Sequence, residues 1–355
     1  MLNGNPTGES RLLSKKTKSN KIMSKRELLA RTLEKTGLGR LLSQSMGRWN
    51  GLVVFNYHRL GNPADSPFDR ALFSAGQEEF EQQVRFLKKN YDVLHVADLD
   101  QALSRRGRSV MLTFDDGYRD NYELAFPVLK QCQIPATFFI TSGFIDETPV
   151  AWWDEIAWMV RHSPENGSLP ETKLWPAFSL ASVLDRDVAI PALLRRYKQL
   201  SSDQTTLFLE ELAVATASGR CPRQLASDLW MNWDMIREMD QAGMDVGGHT
   251  MSHPVLANIS VETQNVEITG SKSRIEEEIG HAITAFSYPV GHAQSFTANT
   301  KQILQAAGYR WAFSFSGGFQ STGTADDFDL PRIAVSPHVS QALFQSTARL
   351  PWLFA

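Results

Sequence analysis

Two adjacent carboxylates, Asp115 and Asp116, follow directly on a run of apolar and β-forming residues at 110–114. Neighbouring carboxylates at the end of a strand repel each other, so this position needs a cation or a shared proton. Gly117 comes next and can take the positive φ of a sharp turn. The run therefore indicates a cation site at the point where a buried strand ends.

Two histidines four residues apart, His249 and His253, follow a second strand-like run at 244–248. One carboxylate and two imidazoles form a common ligand set for a hydrolytic metal, with positions left for water and substrate. We expect zinc by default, although this set also accepts cobalt, nickel or iron. The spare carboxylate of the pair is then free to act as a base.

The letters TFDDGY, followed far downstream by HTMSH, resemble the polysaccharide deacetylases with a NodB-type catalytic domain, which hydrolyse acetamido groups on sugars. The similarity covers about 51–335, most of the chain. The resemblance implies that Asp115 is the general base. It assigns Asp116, together with His249 and His253, to the metal.

A general acid must protonate the leaving amine, and histidine suits this task near neutral pH. The Leu-x-His motif that family members carry late in the domain is missing here, but the letters VVFNYHR place His58 at the end of the first predicted strand. This order resembles the circularly permuted branch that includes biofilm poly-N-acetylglucosamine deacetylases. We therefore predict His58 as the acid; the alternative for His58 is a structural role in hydrogen-bonding a loop, and His292 and His338 are weaker candidates for the acid.

The third motif of the family is matched only in part by the letters FSYPVG, because many members have an arginine where Ser287 stands. Arg332, at the start of the last predicted strand, is a candidate to replace it and orient the base; an ordinary salt bridge is the alternative. A backbone N–H in the turn at 288–290, which contains Tyr288 and Pro289, is expected to help hold the oxyanion. Gly291 permits the close approach that this requires.

Strand-like and helical runs alternate from residue 51 onward. This alternation predicts an α/β fold with a barrel of parallel strands, whose active site lies at the C-terminal strand ends. The resemblance specifies a distorted seven-stranded (β/α) barrel of the NodB-deacetylase type, circularly permuted. The predicted strands are 52–57, 110–114, 136–141, 245–248, 285–288, 311–315 and 332–335. The predicted helices are 77–90, 122–132, 234–242, 261–280 and 298–307.

A stretch at 146–232 interrupts this alternation and is rich in helix formers, which predicts a helical insertion beside the barrel mouth. It begins near Trp152 and Trp153, whose indole rings suit the apolar faces of sugars; anchoring of the insertion to the barrel is the alternative. Trp311 is expected to wall the acetyl pocket, with a place in the core as its alternative.

Three segments flank or precede the barrel domain, which is predicted at 50–340. Residues 1–24 are polar and rich in lysine, so we predict that they are disordered, with Met23 as an alternative start. Residues 25–49 predict an amphipathic helical segment that packs on the domain or contacts anionic lipid. Residues 341–355 are predicted to form a C-terminal tail.

The composition is that of an ordinary soluble protein, with 42% hydrophobic and 21% charged residues among 355. A net charge of −3 gives no reason to expect a nucleic-acid partner. The two cysteines, Cys132 and Cys221, form no CxxC pair and are expected to be reduced thiols. Because no apolar signal-peptide core is found, we predict a cytoplasmic location, at the inner face of the membrane if 25–49 binds lipid.

Together these features predict a metal-dependent N-deacetylase that releases acetate from an N-acetylhexosamine in a polysaccharide or a glycan precursor. An N-acetylated glycan is therefore the expected partner. One alternative is an amidase or imidase acting on a small non-sugar substrate, and another is a glycan-binding relative without activity. The complete set of two aspartates and two histidines argues against the second alternative, because a glycan-binding protein needs no metal to activate water.

Overall fold

The computed structural model describes residues 24–45, 49–104 and 107–355. The segment 1–24, predicted to be disordered, lies outside the described residues except for Ser24. Met23, the predicted alternative start, also lies outside them. The strands are β1 (Gly51–Tyr57), β2 (Arg59–Leu60), β3 (Phe73–Ala75), β4 (Asp92–Val93), β5 (Arg108–Phe114), β6 (Thr137–Ile140), β7 (Ser168–Leu169), β8 (Phe178–Ser179), β9 (Asp245–Gly248), β10 (Ala285–Ser287), β11 (Trp311–Phe313), β12 (Gln320–Ser321) and β13 (Ile333–Ala334).

Helices lie between these strands and at both ends of the described chain. They are α1 (Lys25–Thr36), α2 (Leu38–Ser45), α3 (Gln77–Asn90), α4 (Leu99–Ser104), α5 (Phe126–Cys132), α6 (Ser142–Glu147), α7 (Trp152–Arg161), α8 (Val183–Tyr197), α9 (Ser202–Ala215), α10 (Trp233–Gln241), α11 (Val261–Ile279), α12 (Ala298–Ala306), α13 (Gln341–Arg349) and α14 (Pro351–Phe354). A π-helical turn, Asn121–Ala125, leads into α5.

Seven parallel strands form a ring in the order β13, β1, β5, β6, β9, β10 and β11. Each of them overlaps one predicted strand. The ring closes beside β13, where Leu330 makes a parallel bridge with Phe313 of β11. Outside the ring, β4 joins β5 in parallel and β12 joins β1 antiparallel, which distorts the regular barrel. The predicted α/β barrel is confirmed.

The first strand of the chain, β1, lies between β5 and β13, as the permuted order requires. It pairs with β5 along its whole length, from Gly51 opposite Arg108 to Tyr57 opposite Phe114. Every residue of β1 is buried, which explains why the strand reads as an apolar run. Asn56 is the polar exception, and its side chain belongs to the site described below.

Alternate residues of the ring strands fill two separate cores. Leu52, Met111 and Phe139 belong to the cluster inside the ring, whereas Val53 and Phe114 pack against the surrounding helices. Since side chains alternate across a strand, Asn56 falls on the same side as Leu52, towards the barrel interior. The apolar cluster fills the start of the barrel, so polar chemistry is confined to the C-terminal strand ends.

The chain between β6 and β9 contains α6 to α10 and the small antiparallel pair of β7 and β8. Its final part returns to the barrel, where Trp230 makes an antiparallel bridge with Tyr118. The backbone N–H of Met231 donates to the carbonyl of Gly117 at 2.9 Å. The segment at 146–232 is therefore joined to the loop that follows the two aspartates.

Residues 341–355, predicted as a C-terminal tail, form α13 and α14 and pack against the domain. Phe344 and Ala348, one helical turn apart, are both buried. The Phe344 ring lies 4.5 Å from that of Phe55 in β1. An apolar helical face of α13 thus packs against β1.

Candidate active site

Asp116, His249 and His253 meet at the C-terminal ends of β5 and β9. The Nε2 atoms of both histidines lie 3.4 Å from Oδ1 of Asp116. One ligand atom from each residue can be chosen so that all three lie within 4.8 Å of one another, and all three side chains are buried. The strand ends thus bring together a three-residue set from positions far apart in the sequence.

The backbone around this set holds several non-glycine residues in the left-handed region. Asp116 has φ 78°, Thr250 has φ 66° and His253 has φ 57°. Such conformations are unfavourable, and they persist where the surrounding structure enforces them, commonly at functional sites. The Thr250 hydroxyl supports the turn by accepting a hydrogen bond from the His253 N–H at 3.0 Å.

A divalent cation fits these three residues. Oδ1 of Asp116 is buried and has no hydrogen-bond partner among the described residues, as expected of an atom reserved for a metal. His249 Nδ1 lies 2.7 Å from the Ser287 carbonyl, so it carries the proton and leaves the Nε2 lone pair for a ligand bond. Burial lowers the pKa of His253 to about 3, which keeps this imidazole neutral, as coordination requires.

Asp115 is paired with Arg332 in a buried bidentate salt bridge. The guanidinium Nη1 and Nη2 atoms lie 2.7 and 2.8 Å from the two carboxylate oxygens. Arg332 also donates to the side chains of Asn56 and Ser287 at 2.8 Å each, and to the Ser314 carbonyl at 3.1 Å. Burial raises the pKa of Asp115, but the Arg332 charge outweighs it and holds the pKa well below the usual range. The carboxylate is therefore ionised and fixed in direction.

This pairing bears on the prediction that Arg332 replaces an arginine that the family resemblance leads one to expect at the position of Ser287. The structure places Arg332, which directly precedes β13, against both Asp115 and the Ser287 hydroxyl. Arg332 is only 1% exposed, so it does not form an ordinary surface salt bridge. Its position depends on the contact between β13 and β1.

Asn56 is a site residue that the sequence reasoning missed. Its Nδ2 atom lies 3.2 Å from Oδ2 of Asp115, and its Oδ1 accepts hydrogen bonds from Arg332 and from the Thr113 hydroxyl. A signal was present, because an asparagine inside an otherwise apolar strand must find buried hydrogen-bond partners. Asn56 and Thr113 are register partners on β1 and β5.

A cavity of about 260 Å³ opens over these groups. Its lining includes the predicted site residues His58, Asp115, Asp116, His253, Tyr288 and Arg332. His292 also lines it, whereas His338 lies in a neighbouring groove. His58 and His292 thus both reach the site, and His338 is the less suitable candidate for the acid.

Most backbone N–H groups in the turn after β10 already have hydrogen-bond partners. The Tyr288 N–H donates to the Phe313 carbonyl and the Gly291 N–H to the Pro289 carbonyl, while Pro289 has no N–H. Within the described residues this leaves the N–H of Val290, which lines the cavity and has φ 65°. At Gly291, with φ 68°, a Cβ atom would lie 2.6 Å from that of Phe315, so only glycine fits.

The two tryptophans at the start of α7 have different surroundings. The Trp153 indole donates to the Tyr118 hydroxyl at 2.7 Å, and its ring lies edge-on to His253 with centroids 4.5 Å apart. This buried residue ties the insertion to a metal-ligand candidate. Trp152 is half-buried, lines the cavity and stacks on Tyr197, with ring centroids 4.4 Å apart.

Trp311 does not wall the acetyl pocket, and this prediction is wrong. It is the first residue of β11, it is 4% exposed, and it belongs to the apolar cluster inside the ring. The physical reason is its position, because a residue at the start of a barrel strand lies at the opposite end from the active site. The guanidinium of Arg310 covers the Trp311 ring at 4.7 Å.

The sequence model of the family named Polysaccharide deacetylase matches residues 103–168 and 190–312, more than half of the chain. The chain belongs to this family. The predicted resemblance is confirmed, and with it the assignment to hydrolases that act on carbon–nitrogen bonds other than peptide bonds.

Individual relatives of this polysaccharide deacetylase are distant. The Bacillus subtilis protein named "Putative polysaccharide deacetylase YxkH" is 22% identical over 300 residues, which cover 82% of this chain and 74% of that protein. A poly-beta-1,6-N-acetyl-D-glucosamine N-deacetylase of Staphylococcus aureus is 31% identical over 111 residues, but these cover only 28% of this chain and 38% of the relative.

The fold is shared with a solved deacetylase of Streptococcus pyogenes, PplD. The two chains superpose with a TM-score of 0.55 at 19% identity, over 84% of this chain and 98% of the other. Similarity at this level of identity supports the barrel fold.

Proposed function

We propose that this polysaccharide deacetylase is a metal-dependent N-deacetylase that hydrolyses the acetamido group of an N-acetylhexosamine in a glycan and releases acetate. The observation that carries the proposal is an arginine-held aspartate, Asp115, beside the set of Asp116, His249 and His253, at a cavity that Asp115, Asp116 and His253 line. A poly-β-1,6-N-acetylglucosamine chain or its precursor is the first candidate substrate, because relatives that match part of this chain are named for that polymer.

Zinc is the proposed metal, held by Oδ1 of Asp116 and the Nε2 atoms of His249 and His253. When bound, such an ion polarises an amide carbonyl and lowers the pKa of water towards neutrality. The donor set of two nitrogens and one oxygen also suits cobalt, nickel or iron, so the bound metal is to be identified by analysis of the purified protein.

Asp115 is the proposed general base, which takes a proton from the attacking water. Arg332 keeps the carboxylate ionised and turns its oxygens in a fixed direction, so that little reorganisation is needed during the reaction. The Val290 N–H is the proposed donor to the oxygen that becomes negative as the acetyl carbon is attacked. His58 then gives a proton to the departing amine.

The surroundings of the cavity support an extended substrate rather than the small non-sugar substrate of the alternative amidase or imidase. The cavity shares Asp69, Ala71 and Ser336 with a neighbouring groove of about 1,060 Å³. A small imide needs no such extension, whereas the sugars next to the reacting unit would have room in it.

Acetate release over a substrate panel tests the function. The panel contains β-1,6-linked and β-1,4-linked N-acetylglucosamine oligomers, the monosaccharide, and hydantoin as a small cyclic imide. We expect acetate from one or more oligomers, loss of activity after chelation, and recovery with zinc. Hydrolysis of hydantoin alone would establish the imidase instead, and inactivity on every member with zinc bound would favour the glycan-binding alternative.

Loss of either histidine ligand is expected to abolish tight metal binding while the barrel stays folded. In His249→Ala or His253→Ala two ligands remain, which is too few for a stable hydrolytic site. Metal content by atomic emission and folding by circular dichroism are the measurements. His281→Ala is the matched control, because His281 is exposed and pairs with Asp240. Stoichiometric zinc in either ligand variant would remove that residue from the set.

Replacement of His58 is expected to slow the chemistry without changing the metal content. A group that acts as an acid only in the transition state lowers kcat and kcat/KM by the same factor when it is removed. His58→Ala is therefore compared with His292→Ala by steady-state kinetics on the best oligomer. Near-normal turnover of His58→Ala together with a strong loss in His292→Ala would transfer the acid role to His292.

A further inference from the structure

The C-terminal end of α8, in the insertion, forms part of the wall of the catalytic cavity. Leu194 of this helix and Lys198, which directly follows it, lie four positions apart and so share one face. Both line the cavity of about 260 Å³ together with Asp115, Asp116 and His253. Lys198 is half-buried and brings to this cavity a positive charge that the proposed mechanism does not use.

The backbone of Lys198 is fixed to the segment that carries a proposed metal ligand. Asn258 lies five residues after His253, and its Nδ2 atom donates a hydrogen bond to the Lys198 carbonyl at 3.0 Å. The residue before Lys198, Tyr197, stacks its ring on that of Trp152, with ring centroids 4.4 Å apart. These contacts on both sides hold the backbone of Lys198 in a defined position beside the ligand set.

The Lys198 ammonium makes no ion pair and no hydrogen bond within the part of the chain that the structure describes. Its contact is with the ring of Trp152, whose centroid lies 5.9 Å from the Nζ atom. The cavity lining contains one further lysine or arginine among the described residues, Arg332, and its guanidinium is bound to Asp115. Lys198 is therefore the cation in this lining whose N–H donors are unoccupied.

Asp69 lines the same cavity and is the other candidate partner for this ammonium. Its carboxylate accepts a hydrogen bond from the Ala71 N–H at 3.0 Å, and none of its oxygens comes within 4.0 Å of the lysine Nζ atom. Burial lowers the pKa of Lys198, and the charges of Asp69 and Asp116 offset this only in part. The ammonium thus lies within electrostatic reach of both carboxylates and is hydrogen-bonded to neither.

A molecule that fills the cavity takes water away from the Lys198 ammonium. Removing a charge from water costs free energy unless the charge regains hydrogen-bond partners, and the described protein groups supply none here. The bound molecule must therefore present an acceptor atom to Lys198. At about 260 Å³ the cavity is smaller than the sites of about 300–1,000 Å³ that hold drug-sized ligands, so it accommodates the reacting sugar rather than several sugars.

We propose that Lys198 is a substrate-binding residue that donates a hydrogen bond to a hydroxyl oxygen of the reacting N-acetylhexosamine and so helps to select the sugar. The inference rests on the proposed function for the kind of sugar, and it adds a residue of the insertion to the site. The acetamido carbonyl is the atom that the metal is proposed to polarise, which leaves the hydroxyls as acceptors for the ammonium. A site that binds a hydroxyl rejects the analogue that lacks it, because the protein group is then left unpaired.

Calorimetric titration with β-1,6-linked and β-1,4-linked N-acetylglucosamine oligomers tests the inference. The parent protein is the full chain with Asp115→Asn and zinc, which is expected to keep the metal while hydrolysing the oligomers too slowly to disturb the titration. Adding Lys198→Met is expected to weaken binding by about 10- to 100-fold, the usual effect of losing a hydrogen bond to a charged group. Lys198→Arg keeps a cationic donor and is expected to recover part of this loss. Metal content and circular dichroism are expected to stay unchanged in both variants.

Methyl glycosides of N-acetylglucosamine that lack the 3-, 4- or 6-hydroxyl identify the oxygen that is bound. They are compared by competition against the oligomer. Removal of the contacted hydroxyl is expected to weaken binding where Lys198 is present and to have no further effect in Lys198→Met, so that the two changes are not additive. Lys173→Met is the matched control, because this lysine of the insertion is exposed and lies outside the cavity lining.

Three results would overturn the inference about Lys198. They are equal affinities of Lys198→Met and its parent, an equal loss of affinity in Lys173→Met, and no binding of any oligomer by the parent. Additive effects for all three deoxy glycosides would also overturn it, since no hydroxyl would then depend on the lysine. The proposed function fails on a different measurement, the absence of acetate release by the protein with Asp115 intact, so the two failures are distinguishable.

Discussion

Arg332→Met is expected to be strongly destabilising and nearly inactive. The substitution removes the only guanidinium that neutralises buried Asp115 within the described residues, and breaking a buried pair in this way typically lowers the free energy of unfolding by about 3–5 kcal/mol. Asn56 and Ser287 would lose a hydrogen-bond donor as well. Urea unfolding of the metal-free protein, followed by circular dichroism, is the measurement.

A double variant separates charge from packing in this prediction. Arg332→Met combined with Asp115→Asn leaves no unpaired charge, so part of the lost stability is expected to return while turnover stays absent. The non-additivity of the two substitutions measures the coupling of the pair. If Arg332→Met unfolds at the same urea concentration as the unaltered protein, the buried pair of Arg332 and Asp115 does not stabilise the fold.

Asp115→Asn and Asp116→Asn are expected to fail in different ways. Asp115→Asn should retain metal and lose about 10²–10⁴-fold in turnover, the usual effect of removing a general base. Asp116→Asn should lose metal first, because it removes the only carboxylate of the ligand set. Metal analysis beside kinetics distinguishes the two results. Equal metal loss in both variants would make Asp115 a ligand and place the base elsewhere.

The sequence predicted the ring strands β1, β5, β6, β9, β10 and β11 because they are almost wholly buried and therefore form short apolar runs, whereas β13 is half-buried at Ile333 and exposed at Ala334. Helix α3 has the predicted bounds, and α10 and α11 differ from prediction by one residue at one or both ends. The pairs β2–β3 and β7–β8, whose strands have two or three residues, were not predicted. The ring strands β10, β11 and β13 are as short, but they lie within predicted runs of four or five residues.

Site residues that follow directly on a strand could be predicted from the sequence. Contacts that depend on which residues of neighbouring strands are paired could not. Asp116 and His249 each follow a parallel strand, so their meeting requires only that both strands belong to one barrel. The contact between Arg332 and Asp115 requires knowledge of which residues of β13 and β1 are partners, and the same holds for Asn56. For Trp311 the sequence held enough information. The predicted strand begins at this residue, which places it at the end of the barrel opposite the active site and so away from the acetyl pocket.

The Asn56–Arg332 hydrogen bond joins residues 276 positions apart, and this separation has a consequence during synthesis. A nascent chain that has emerged as far as His253 already contains every proposed metal ligand. It contains no Arg332, and β13 cannot yet pair with β1. The carboxylate of Asp115 is held by Arg332 only when β13 docks on β1, so the proposed hydrolytic competence is acquired after residue 332 has emerged, later than the ligand set.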